Sequence, residues 1–354
     1  MTMLWVLACG PGQQDDAVVE AAVTQFGVDP VFTELASSDD KLRQPRDLGF
    51  NTAAVNDLWV VNRENDAVVI LREATTGVSK AERLIDCAAN HFMEEVSAIA
   101  FGPDGMFGTA QESDNTYDDQ APPNGFMGPA LWTADPTVFA EVNQSCTVAA
   151  NGSHLDMLHQ SPFGMGMAWD QDNAYWYFDG ENGHLVWYDF QDPHGPGEDD
   201  HSDGLVRRYP EVALDRKPDV PGHMEMDHTT GLLYVANTAA GKLLVVDTGT
   251  GDVTDTLTTF LEPLEEYSEV TGVDFDRWDL DIRWPSGVAL ADGLVFVGDY
   301  ETGAILALDA ATGEEVDRVL SPSGKGLMGL EVGPDGRLYY VDEDDETVGV
   351  IDAG

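Results

Sequence analysis

Positive charge is what this sequence has least of. Its 354 residues carry 17 Lys plus Arg against 65 Asp plus Glu, a formal charge of −48. Only five of the basic residues are Lys, at 41, 80, 217, 242 and 325. Such a chain is repelled by phosphate backbones and anionic lipid, so nucleic acid is excluded as a partner and a membrane is expected only through a covalent anchor. The low Lys content with an acidic, solvating surface suits a salty milieu. Gly-Lys-Ser/Thr phosphate loops, nucleophile elbows and dinucleotide fingerprints are absent, which removes the common nucleotide-dependent and serine-hydrolase classes. The apolar run at the N-terminus, about six residues, is too short to span a bilayer. Yet 43% of the residues are hydrophobic, too many for an acidic disordered tail. A chain of this length can bury a large core as one all-β domain.

Cysteine is scarce as well, with three residues at 9, 87 and 146. Val6-Leu7-Ala8-Cys9 resembles a bacterial lipobox, in which the Cys is lipidated after cleavage of a leader, although no basic residue precedes it. A short buried N-terminal strand is the alternative. Gly10 to Ala17 has the composition of a flexible tether. With Cys9 as anchor, Cys87 and Cys146 remain as a pair, and outside the cytoplasm two cysteines are more often bridged than free. The expectation is an exported, lipid-anchored protein of periplasm or cell surface, with residues 1–29 as leader remnant and tether and 30–354 as the folded domain.

What is present in abundance is a repeat. Met224-Glu225-Met226-Asp227 precedes Leu232-Leu233-Tyr234-Val235-Ala236-Asn237 and then Lys242-Leu243-Leu244-Val245-Val246-Asp247. Ser286-Gly287-Val288-Ala289-Leu290 and Gly329-Leu330-Glu331-Val332 open two later copies. Arg46 to Phe50, Ala98 to Phe101 and Met165 to Asp170 open three earlier ones. Six units of short strands at spacings of about 42 to 68 residues predict a six-bladed β-propeller. The last unit stops after its third strand, and Val31-Phe32-Thr33-Glu34-Leu35 is expected to supply the fourth, closing the ring and removing an edge. These units resemble NHL (YVTN-like) repeats from about residue 30 onward.

In such a blade the links between blades share one face with the turn between second and third strands; the other two turns share the opposite face. On the first face three histidines stand out by register. His91 and His159 each precede an inner strand, and His223 opens one. Imidazole is the commonest ligand for Zn, Cu and Fe, so these three are candidate ligands of a divalent transition metal, Zn or Cu, at the mouth of the central channel, with His154 as a further ligand. Asp114, Asp118 and Asp119 offer Ca²⁺ ligands without the EF-hand spacing, and hydrated acidic loop is the better reading. The alternative for each histidine alone is a hydrogen-bonded structural residue.

The sequence is also similar to a particular NHL-type enzyme family, the peptidylglycine amidating lyases. The similarity rests on His223 in Pro221-Gly222-His223-Met224 and on His91-Phe92. It implies a three-His metal site, a nearby structural Ca²⁺, a catalytic Arg at Arg63 and a catalytic Tyr, for which Tyr117 is the best-placed residue. His159 departs from the family pattern. The resemblance implies that metal and Arg63 would stabilise developing negative charge while Tyr117 or Glu94 moves a proton during C–N cleavage of a small peptide or metabolite. The competing reading is a non-catalytic propeller that sequesters a metal or presents its rim to a protein. A monomer is expected.

Two further segments draw notice. Residues 144–164, carrying His154 and Asp156, read as a long link between blades 2 and 3. The His194/His201 segment at 192–204 reads as a loop on the opposite face, either a separate cation site or plain acidic surface.

Overall fold

The computed structural model describes residues 26–77, 80–116, 122–145 and 151–354. Cys9, Tyr117, Asp118, Asp119 and Cys146 lie outside the described residues. No helix among those described is long and apolar enough to cross a membrane.

The chain forms six antiparallel sheets, the six blades of a β-propeller. Their inner strands are Pro45–Phe50, Val96–Phe101, Gly164–Gln171, Met224–Asp227, Pro285–Ala291 and Leu327–Val332. Each inner strand packs against the next and the sixth against the first, so the ring is closed around an axial tunnel. Closure is made by hydrogen-bonded strand pairing: Val31–Ala36 is the outer strand of the last blade, paired antiparallel with Thr347–Asp352, as the repeat count requires.

The second strands are continuous apolar runs such as Leu58–Asn62 and Ala174–Asp179, buried along their whole length. A strand with sheets on both faces reads this way. Between blades 1 and 2 the packing is aromatic. Phe107 lies 5.3 Å from Trp59, 5.3 Å from Phe101 and 5.5 Å from Phe139, with Trp132 at 6.4 Å.

Two elements differ from the sequence reading. The outer strand of blade 2 is the two-residue segment Asp156–Met157, paired with Ala130–Thr133. Residues 134–155 are therefore a connection within blade 2, and the link to blade 3 shrinks to 158–163. Two residues give no periodic signal, so this strand is defined only by its partner. Between the third and fourth strands of blade 4, a hairpin of Asp252–Thr256 and Glu266–Thr271 leaves its own blade and adds to blade 3, where it pairs parallel with Leu205–Ala213. Blade 3 thus becomes six-stranded, and the hairpin tip carries Phe260, Leu261 and Glu262 toward blade 2.

Phe107→Ala should cost about 3–5 kcal/mol, the usual penalty for emptying a buried aromatic site. Urea unfolding measures it, and a loss below about 1 kcal/mol would show that the aromatic joint between blades 1 and 2 is not limiting.

Candidate metal centre and central tunnel

Five of the eight histidines gather at the outer joint of blades 2 and 3. The ring centroids of His91 and His159 are 6.0 Å apart, those of His159 and His201 5.7 Å, of His194 and His201 5.4 Å, and of His154 and His194 5.1 Å. Asp156 sits among them with its Oδ1 2.7 Å from His201 Nδ1. One donor atom from each of Asp156, His194 and His201 falls within 4.8 Å of the other two.

His201 and His194 reach this place against expectation. Their loop does start on the far face of blade 3, but it turns sideways and runs along the outer strand of blade 2. The Leu155 carbonyl accepts from the His194 amide at 3.1 Å, and the His154 carbonyl accepts from Gly197 at 2.9 Å. Gly197, at φ 76°, lies where a Cβ would come within 2.7 Å of the Gly152 carbonyl oxygen, so the two loops can touch only with glycine there.

The imidazoles share one hydrogen-bonding habit. His154 Nδ1 donates to the Asn151 carbonyl at 2.7 Å, His194 Nδ1 to the Gly195 carbonyl at 2.8 Å, and His159 Nδ1 to Glu262 at 2.8 Å. Each acceptor fixes the proton on Nδ1 and leaves a lone pair on Nε2. The Nε2 atoms of His154, His159 and His194, and Oδ2 of Asp156, are buried and have no hydrogen-bond partner. Buried polar atoms are nearly always paired, and a ring whose outer nitrogen is tied back to carbonyl or carboxylate is the arrangement metal-ligating histidines adopt.

Electrostatics keep most of these rings neutral. Burial pushes His91 down to about 3, with His159 and His201 beside it adding to the effect. Burial also lowers His154 and His159, in the latter against the opposing pull of Glu262. For His201 burial is outweighed by the bond to Asp156, so it is raised. Phe92 stacks on His154 and Phe126 on His159, both at 3.6 Å between centroids, which further restricts the rings.

The remaining sequence candidates lie elsewhere. His223 stands apart from the cluster: its Nε2 donates to the Ser97 carbonyl at 3.0 Å and its Nδ1 faces Asp47 Oδ1 at 3.6 Å. Related registers did not imply a common site: the link residues His91 and His159 meet at the joint of blades 2 and 3, while His223, opening its inner strand, lines the tunnel. Arg63 does occupy the expected turn of blade 1, yet it is taken up by Glu95 and by Asp219 at 3.1 Å, with Glu112 at 4.0 Å. Arg46, 1% exposed, pairs with Glu343 at 2.8 Å and donates to the Asp219 carbonyl. Asp219 belongs to the link between blades 3 and 4, across the ring from blade 1, so this network crosses the axis and plugs that face. Glu94 accepts from Thr116 at 2.7 Å, and burial raises it. Cys87 is disulfide-bonded.

A second polar feature escaped the sequence reading. Below the plug the tunnel widens into a cavity of about 160 Å³ lined by residues of all six inner strands, among them Asp47, His223, Glu225 and Glu331. Strand pairing aligns Glu225 and Glu331 with Gly49, Ala100, Ala168 and Ala289 of the other blades. Aligning the six inner strands residue by residue would have exposed these two carboxylates in a position reserved for small side chains. Burial raises Asp47, against the opposing pull of His223 and the Ile99 and Leu48 amides; it also raises Glu331 and pushes Glu225 up to about 8, with repulsion from Asp47 adding to both and Glu225 adding to Glu331.

No family model matches the sequence, and no curated protein matches it either. Solved structures do. An auxiliary nutrient binding protein from Bacteroides thetaiotaomicron VPI-5482 superposes with a TM-score of 0.52 at 10% identity, covering 87% of this chain and 68% of that one. The β-propeller domain of Cps50 (Swd1) from Myceliophteria thermophila gives 0.50 at 11% identity, covering 90% and 99%. Likeness at this identity shows the fold alone, a β-propeller, and the six blades are read from this chain's own sheets. It does not tie the chain to NHL-repeat proteins or to the amidating lyases.

The tunnel carboxylates set a pH dependence whose sign is fixed. Glu225 holds its proton to about pH 8 when folded and releases it near 4.3 when unfolded. Over that window the folded state binds more protons, so stability falls as pH rises, by at most about 1.4 kcal/mol per pH unit for one group. Glu225→Gln should flatten the urea midpoint between pH 5 and pH 8 relative to the parent; an unchanged slope would place the titration elsewhere.

Proposed function

We propose that this chain is an exported metal-binding propeller that captures a divalent transition metal, Zn²⁺ or Cu²⁺, at the joint of blades 2 and 3. The observation that carries the reading is the set of buried, unpartnered Nε2 atoms on His154, His159 and His194, each ring held by an acceptor on its Nδ1. Asp156, His194 and His201 would form the core of the site, with His154 or His159 completing a four-coordinate sphere. Imidazole with one carboxylate suits Zn or Cu over Mg or Ca. Export is supported by the disulfide at Cys87, a bond that persists in oxidising compartments.

Sequestration is favoured over lyase chemistry by the position of Arg63. Its Nη2 is held by Glu95 and Asp219 in the axial plug, and the histidines that gather do not line the tunnel, so Arg63 and the histidines do not form one site. A site with surplus protein ligands closes around its metal, whereas catalysis needs an open position.

Protein purified without chelator should contain close to one equivalent of Zn or Cu by elemental analysis. His194→Ala and His201→Ala should each lose it, and Zn²⁺ added at a hundredfold excess over Kd should stabilise the parent by about 2.7 kcal/mol and the variants by far less. Equal metal content in parent and variants would sink the proposal.

A further inference from the structure

The tunnel is a second site, independent of the histidine cluster. Three carboxylates and two imidazoles, His223 and the exposed His228, line it, and no Lys or Arg does. Burying that many acids without a cation is unfavourable, and proteins normally pair such groups. His223, 4% exposed, points the unmet need inward. Its Nε2–H is committed to Ser97, so Nδ1 presents a lone pair, and that atom has no hydrogen-bond partner. It confronts Asp47 Oδ1 at 3.6 Å, beyond hydrogen-bond distance, while Asp47 Oδ2 accepts from the Ile99 amide at 2.9 Å. An N–H donor between them would satisfy both.

The shape of the site selects among cations. A bare metal ion needs its oxygen ligands 2.3–2.6 Å away, hence within about 5 Å of one another. Among the described residues only Asp156, His194 and His201 offer three such donors within 4.8 Å, so the tunnel groups are spread too widely to share one ion. Between the acids runs an apolar collar formed by Leu48, Ile99, Met167, Met224, Val288 and Leu330, one from each blade. Toward the far face the cavity continues to Phe50, Phe101 and Trp169, all partly exposed, where an ammonium group passing the rings gains cation–π attraction. The plug of Arg46, Arg63 and Asp219 closes the other face, making the tunnel a pocket with one opening. Separated anionic points joined by an apolar stretch fit a cation of the same pattern.

We propose that the central tunnel binds a linear aliphatic diamine, one ammonium lodged between Asp47 and His223 and the other against Glu225 and Glu331, with the alkyl chain along the collar. Each ammonium makes charge-assisted hydrogen bonds of the strong kind, and a doubly charged occupant keeps the carboxylates ionised.

The test is titration calorimetry of the full chain with putrescine at physiological salt, where nonspecific attraction to a −48 protein is screened. The expected result is one molecule bound per chain, with affinity falling at least tenfold in Glu225→Gln/Glu331→Gln. Circular dichroism checks that this variant folds, and Glu331→Gln alone, expected to weaken binding by several-fold, serves if it does not. Monobutylamine, with one charge, should bind at least tenfold more weakly than putrescine. Binding that is unchanged in both variants would reveal general surface attraction and overturn the proposal. So would an absence of putrescine binding with Ca²⁺ saturating the site instead, which would make the tunnel an inorganic cation site.

Discussion

Six twisted sheets can share one axis only if the ring closes, and here closure depends on the pairing of Val31–Ala36 with Thr347–Asp352. That pairing leaves the last blade without a free edge and joins the two ends of the folded chain in one sheet. Everything else about placement follows from it. Once the inner strands are locked around the axis, the side chains at equivalent register positions form rings, and any departure from the repeat is displayed either to the tunnel or to a joint between blades. Leu48, Ile99, Met167, Met224, Val288 and Leu330 are such a ring. Asp47 with His223, and Glu225 with Glu331, are departures.

The same constraint explains how far the sequence could be read. The strand repeats were legible because each second strand is an apolar run between turn residues, a local signal, and the closing strand was legible by counting. The gathering of histidines was not. His194 and His201 sit in a loop assigned to the correct blade and the correct connection, but its sideways course depends on the Gly197–Gly152 contact and on backbone bonds to His154 and Leu155. Those contacts are between loops and leave no periodic mark. His223 fails in the opposite sense: its register was read correctly, and register alone places it on the axis, far in environment from the link histidines it was grouped with. Glu262 illustrates a third limit. It fixes His159 from a hairpin inserted in blade 4 that lends its strands to blade 3, a relation no single blade contains.

The two polar features divide the chemistry of the protein by donor type. At the joint of blades 2 and 3 the donors are imidazoles with one carboxylate, beside Phe92, Phe126 and the hairpin tip. On the axis they are carboxylates surrounded by aliphatic side chains. Nitrogen-rich donors prefer borderline transition metals, whereas dispersed carboxylates prefer charge carried on hydrogen-bond donors. The two donor sets therefore suit different classes of cation.

The overall charge acquires meaning only through this division. Most of the acidic residues lie in turns and outer strands such as Asp252–Thr256, fully exposed, where hydration holds them at no cost to the core. A carboxylate on such a protein is ordinary; one that has been drawn inside, against both desolvation and its neighbours, is not. Glu225 and Glu331 are held in that state beside Asp47, which burial alone raises. A fold that merely needed to fill the axis would place small residues there, as Gly49, Ala100, Ala168 and Ala289 do. The field of the remaining acids draws cations toward the tunnel opening, and the arginines that could have neutralised the interior are instead spent on the plug at the other end. The negative surface thus concentrates positive charge outside while the axis keeps carboxylates inside, and the two act in the same direction.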